Sequence, residues 1–196
     1  MKIRRTIVRV IVLSIVSFLS IPMISFAYYT KDAAFFRSGL PKSVIGDCYV
    51  FISDSVSDYG YLSYVTSAMT GWGSISSADV DFWTSGSATY ADIRVYAGDY
   101  GLDYAGLAQP YRGSTLVSDP DASTANWSYV IITLNDHYMD HKNYSSANRK
   151  KTTIHEFGHA LGLRHQPSST SSVMVQGKRT YSTPQSLDRS NIAYKY

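Results

Sequence analysis

The chain of 196 residues carries 18 Lys and Arg against 15 Asp and Glu, a formal charge of +3 with histidine neutral, and one cysteine. Lys2, Arg4, Arg5 and Arg9 all precede residue 28, so 14 basic residues face 15 acidic ones beyond it, and no basic stripe suggests nucleic acid as a partner. About 169 residues remain there, one domain's worth with room for a buried core, and the single cysteine excludes an internal disulfide.

The first 27 residues read as a secretory signal peptide. A basic start precedes the apolar run Val10 to Leu19, then Pro22 and a Ser25-Phe26-Ala27 ending, with small residues at the minus-three and minus-one positions of a cut before Tyr28. An uncleaved membrane anchor is the alternative, disfavoured because the run is short and broken by Ser and Pro. A secreted, extracellular protein with no stable membrane insertion after cleavage is therefore expected. Residues 28–41 form a short N-terminal segment, a candidate pro-segment, and residues 42–196 the main domain.

Asp47 to Ser53 reads as a strand, with Cys48 inside it as a half-buried structural thiol. Leu62, Val65, Met69 and Trp72 recur at spacings of three and four, the pattern of an amphipathic helix. Val80 to Trp83 and Ile93 to Ala97 are further strands. Gly98 to Gly106 is a loop before an edge strand near Leu107; Asp99 and Asp103 in it could take calcium with backbone carbonyls, although two carboxylates alone do not define a site. Tyr129 to Leu134 is a continuous run of apolar and β-branched residues, as for a strand buried on both faces. Asp136, His137, Asp140 and His141 repeat an Asp-His pair at a four-residue spacing that could bind a second metal; a polar loop is the favoured reading. The 17 tyrosines could make a sticky or carbohydrate-facing surface, but fit half-buried strands better.

Residues 155–165 carry the chemistry. A helix capped at Ser145 or Ser146 and ending at Gly162 puts His155 and His159, four apart, on one face where both can bind one metal ion. Ile154, Phe157 and Leu161 form its core stripe. Gly162 tolerates the left-handed conformation that ends a helix, so the chain can reverse and bring in His165 as third ligand. Three imidazoles with a fourth position for water are a catalytic zinc set, and Glu156 can reach that water without binding the metal, the position of a general base. A lone His-Glu-x-x-His can arise by chance on any polar helix; Gly162 and His165 at the required offsets make coincidence improbable.

At all five defined positions this stretch resembles the extended motif of the metzincin zinc endopeptidases. Ser171-Ser172-Val173-Met174 resembles their Met-turn, in which Met174 would be a soft hydrophobic floor under the histidines rather than a ligand. The short gap from His165 to Met174 resembles the matrixin branch, as do Ala91 to Tyr96, similar to the strand before the family's calcium- and zinc-rich loop, and Gly106-Leu107-Ala108, similar to the strand lining the substrate cleft. The resemblance spans about residues 41–196 and is loose outside the zinc motif. Gln166-Pro167 stands where vertebrate matrixins have Ser, and Gln176 where astacins have Tyr, so a bacterial-type relative is indicated. Cys48 lacks the Pro-Arg-Cys-Gly surroundings of the inhibitory propeptide cysteine.

The resemblance implies an α+β, zincin-like catalytic domain. It would have a twisted, mixed five-stranded sheet, two long helices and a small C-terminal subdomain holding the Met-turn. Val175 to Ser182 would wall the pocket for the residue after the scissile bond, and Thr183-Pro184 would open a last helix to about Tyr194. The implied function is a secreted, monomeric zinc endopeptidase acting on protein or peptide substrates along Leu107 and Ala108. A zinc-binding non-catalytic module, or a zinc hydrolase of a non-peptide or cell-wall bond, are the alternatives.

Overall fold

The computed structural model describes residues 28–196, and the leader read at 1–27 lies outside the described residues. After a 3-10 turn at Lys31–Ala34 come α1 (Lys42–Ile45), β1 (Cys48–Ile52), α2 (Asp54–Asp58), α3 (Leu62–Gly73) and β2 (Phe82–Ser85). A second 3-10 turn at Ala88–Tyr90 leads to β3 (Ile93–Gly98), β4 (Gly106–Arg112), β5 (Thr115–Leu116), β6 (Tyr129–Asn135), α4 (Asp136–His141), α5 (Ser146–Ala160) and α6 (Ser186–Lys195). Among the described residues no helix is long and apolar enough to cross a membrane.

The strands form one mixed sheet in the order β2-β1-β3-β6-β4-β5. β2, β1, β3 and β6 run parallel, while β4 is antiparallel to β6 and β5 to β4. The expected five strands are joined by a sixth, β5, a two-residue return after the left-handed Gly113 at φ 58°. It pairs only with Tyr111 and Arg112, so the stretch of β4 from Gly106 to Gln109 has a ladder partner on one side alone.

Cys48, Val50, Ile93, Val95, Val130, Ile132 and Leu134 are buried on one face of this sheet. The other face carries aromatic and cationic side chains. Arg94 lies 3.6 Å above the Tyr129 ring, Tyr111 stacks on Tyr129 at 5.0 Å and Phe51 packs on Tyr96 at 6.1 Å. This corrects the expectation that 129–134 is buried on both faces: Tyr129, Ile131 and Thr133 are only half-buried, with Arg94 and the Tyr111 ring against Tyr129.

Helices α3 and α5 pack together, the Trp72 indole donating to the Ile154 carbonyl at 3.0 Å, and α5 rests on β4 and β6. The buried stripe of α3 is Val65, Ala68 and Trp72, led in by Tyr61; Leu62, expected inward, is exposed. α5 starts as expected, with Ser145 Oγ accepting from Asn148 N–H at 3.2 Å and Asn148 Oδ1 accepting from Ser145 N–H at 3.1 Å. Two element starts shift by two residues or more. β2 begins at Phe82, where register with Cys48 begins, not at Val80, and α6 begins after Gln185 because Asp188 Oδ2 accepts from Gln185 N–H at 2.8 Å.

Residues 28–41 pack into the domain. Ala34, Phe35 and Leu40 are buried, Phe35 bridges Leu163, and Tyr29 N–H and C=O are both held by the Gln166 side chain at 2.8 Å. Cys48 is fully rather than half-buried; burial first, then the Asp92 and Asp47 carboxylates, raise its pKa far above that of an ordinary thiol. Alkylation by iodoacetamide at pH 8 should therefore leave native Cys48 unlabelled and modify it fully in guanidinium. Rapid labelling of the native protein would contradict the burial of β1.

Candidate metal centre and cleft

The last turns of α5 and the reversal after it bring three imidazoles together. The helix closes with Gly162 N–H donating to His159 C=O at 2.8 Å and Leu163 N–H to Gly158 C=O at 2.9 Å, and Gly162 takes φ 84°, as its place in the motif predicted. The chain then passes Phe35 and Met174, to whose carbonyl Gln166 N–H donates at 3.0 Å. His165 is thereby held between two fixed neighbours. His159 Nε2 lies 3.1 Å from His155 Nε2 and 3.0 Å from His165 Nε2.

The second nitrogen of two of these rings identifies the tautomer. His155 Nδ1 faces the Val173 carbonyl at 2.8 Å and His159 Nδ1 the Leu163 carbonyl at 2.7 Å, so each Nδ1 carries the proton and each Nε2 presents a lone pair. Burial, with neighbouring positive charge, holds His155 well below the usual imidazole pKa and brings His159 down to about 3; His165, the most exposed of the three, is lowered by burial too. Three neutral acceptors converging at these distances suit a cation: ligands about 2.0–2.1 Å from a tetrahedral zinc lie roughly 3.3 Å apart. Among the described residues this is the one cluster of three or more His, Cys, Asp or Glu side chains that could hold a metal ion.

Glu156 lies beside this cluster, 5 % exposed, in the wall of a cleft of about 460 Å³. Burial pushes its carboxyl up to about 8, against the Lys151 charge and a hydrogen bond from the Ala108 backbone. β4 crosses so close above it that a Cβ on Gly106 would meet Glu156 Cγ at 2.8 Å. Leu107 and Ala108, expected at the cleft, line it, as do Gln176 and Gly177 of the expected wall. Beneath, Met174 lies against Gly158, where a Cβ would strike the Met174 sulfur and the Trp72 ring.

Other expectations change. Asp136 to His141 is not a loop but α4, and Arg149 engages Asp136, Asp140 and the Tyr61 hydroxyl, so those carboxylates already have a cation. Asp99 caps Gly101 N–H and pairs with His137 at 3.4 Å, and Asp103 lines the cleft; among the described residues the two join no cluster of three or more metal-binding side chains. Sequence reasoning placed Gly106 on the cleft-lining strand but missed its close approach to Glu156, and missed Gly158 altogether, since both roles lie in contacts with distant residues. It also missed Phe36, whose ring packs 6.0 Å from that of His159, and Asp188. Asp188 Oδ1 accepts from Ser172 Oγ and Oδ2 from Val173 N–H at 2.9 Å, fixing the turn whose carbonyl holds His155. The Asp188 capping box could have been read from Gln185 onward; the link to Val173 could not.

The family model described as Matrixin matches residues 53–193. No curated protein matches the chain. Among solved structures it is similar to "Structure of myroilysin" at 18% identity over 76% of this chain and 92% of that one, with a TM-score of 0.44. It is also similar to "Crystal structure of myroilysin" at 18% over 86% and 89%, TM-score 0.41, and to "GM1 bound form of the ECX AB5 holotoxin" at 16% over 82% and 75%, TM-score 0.41.

Two measurements check this centre. Cobalt titrated into metal-free protein should give the visible spectrum of a tetrahedral site at one ion per chain, and His159→Ala should weaken binding by more than about 100-fold. Gly158→Ala should lower stability by about 1–3 kcal/mol despite the better helix propensity of alanine, because Met174 and Trp72 must move; a denaturation midpoint at or above wild type would contradict the packing.

Proposed function

The chain belongs to the matrixin family of zinc metallopeptidases, and from that premise we propose that it is a secreted endopeptidase in which His155, His159 and His165 hold the zinc and Glu156 is the general base. The observation that carries the reading is the convergence of three imidazole Nε2 atoms beside a buried carboxylate under a half-open strand. A zinc ion there supplies positive charge that polarises a peptide carbonyl and acidifies water.

The chain's own residues do the rest. A substrate backbone pairs with the free side of β4 at Leu107 and Ala108, which places a peptide bond over the cleft. Glu156 takes the proton from the attacking water and returns it to the departing amine nitrogen. Its burial makes it a stronger base than an exposed carboxylate, with a pKa of about 8 that a nearby dication lowers, so activity rises with pH as the group ionises and levels off below about pH 8. Met174 keeps the floor under the histidines apolar. A module that only bound metal would have no use for a carboxylate desolvated in the wall of a cleft, which favours catalysis over binding alone. Secretion rests on the leader at residues 1–27, and the substrates proposed are proteins or peptides met outside the cell by a monomeric enzyme.

Glu156→Ala should keep stoichiometric zinc and lose activity on a mixed peptide library by roughly 10²–10⁴-fold; a variant near wild-type rate would remove Glu156 from the base role. Gly106→Ala should also retain zinc yet slow turnover by about 10²-fold, since the added methyl displaces the Glu156 carboxylate. Unchanged kcat in that variant would show that β4 does not position the base.

A further inference from the structure

One end of the cleft is apolar, lined by Phe36, Pro110, Pro120 and Trp127. The other end holds a buried cation. Lys151, one turn before His155 on α5, is 2 % exposed and lines the cleft, and its ammonium donates to the Val175 carbonyl and, at 3.4 Å, to the Gly177 carbonyl. These contacts pin the 175–177 wall to α5, and the ammonium also lies 3.5 Å from His155 Nδ1, whose proton is given to the Val173 carbonyl, so one N–H of three has no oxygen partner. No described carboxylate forms an ion pair with it. A buried ammonium held by carbonyl dipoles, with Glu156 and Asp188 near enough to act on its charge but neither in contact with it, is costly, and a carboxylate brought to it would relieve that cost.

The surroundings repeat the sign. Tyr138 and Tyr144 line the same end in a T-shaped pair at 6.2 Å, with Lys142 Nζ 5.8 Å from the first ring and Lys178 Nζ 5.0 Å from the second. Burial lowers the Lys151 pKa to about 8; the Glu156 carboxylate works against that, the Arg179 charge with it and the Asp188 carboxylate against it. The lining carboxylates are Glu156 and Asp103 only, and Asp140, on α4 beside Lys142, is held by Arg149. An aliphatic side chain would find no purely apolar seat at this end, whereas a carboxylate finds an ammonium with a free donor and two lysines at the rim.

We propose that Lys151, with Lys142 and Lys178 at the rim, makes this end of the cleft select an aspartate or glutamate side chain of the substrate close to the cut bond. The inference rests on the peptidase reading and adds a substrate class to it. Sites built around a fixed polar partner reject the analogue that lacks it, so the preference for acidic over leucine peptides should be about tenfold or more.

A mixed peptide library cut by the zinc-loaded protein, with cut positions read by mass spectrometry, tests this against Lys151→Met and the surface pair Lys142→Ala/Lys178→Ala. Wild type should enrich Asp or Glu at one position flanking the cut, less so in high salt; Lys151→Met should lose the enrichment and the surface pair should reduce it. Should Lys151→Met fail to fold, the surface pair, at exposed positions, carries the comparison alone. Cleavage without acidic enrichment, or with equal enrichment in every folded variant, overturns the inference and leaves the peptidase standing. No cleavage of any peptide by protein that carries zinc overturns both.

Discussion

Three imidazole lone pairs aimed at one point govern this molecule. Nitrogen acceptors about 3 Å apart repel one another unless a cation lies among them, so the fold must hold them in place. It does so with backbone oxygens: the Val173 carbonyl fixes the ring of His155 and the Leu163 carbonyl that of His159. Each of those carbonyls belongs to a segment pinned from elsewhere, Val173 by Asp188 of α6 and Leu163 by its bridge to Phe35. The ends of the described chain thus both serve the centre.

The same logic explains the small residues near it. Gly158 lets α5 settle onto Met174 and Trp72, and Gly106 lets β4 pass over Glu156. In each case a methyl group would occupy the space that a functional side chain needs. Arg149 adds an electrostatic counterpart, gathering Asp136, Asp140 and Tyr61 so that α4 is tied to the start of α5. A rigid helix with a clamped N-terminal turn and a left-handed C-terminal stop is what allows His155, Glu156 and His159 to keep fixed positions.

Much of this was legible in sequence because it is local. The α5 cap at Ser145, the stop at Gly162 and the offsets of His155, Glu156, His159 and His165 lie within a few turns of one another, where spacing translates directly into direction. Long-range facts were not legible. Apolar content in 129–134 did not reveal that the second face of β6 is only half-buried, with Arg94 over Tyr129, and the Asp-His repeat at 136–141 gave no sign that Arg149 had claimed its carboxylates. Leu62 matched the helical period as well as Ala68 did, and only the packing of α3 on α5 chose between them. Lys151 was passed over because a lysine on a helix is ordinarily solvated.

The reversal that carries His165 past Met174 has a thermodynamic consequence. An ion held as proposed, by α5 and by the segment after Gly162, would cross-link two parts of a chain whose single cysteine, Cys48, cannot do so. Metal would then enter the folding equilibrium as a ligand of the native state. Each tenfold rise in free zinc above its dissociation constant adds about 1.4 kcal/mol to stability. Resistance to unfolding is therefore a property of the surrounding medium as much as of the sequence, and a chelating environment would retire the protein by loosening it as well as by silencing it.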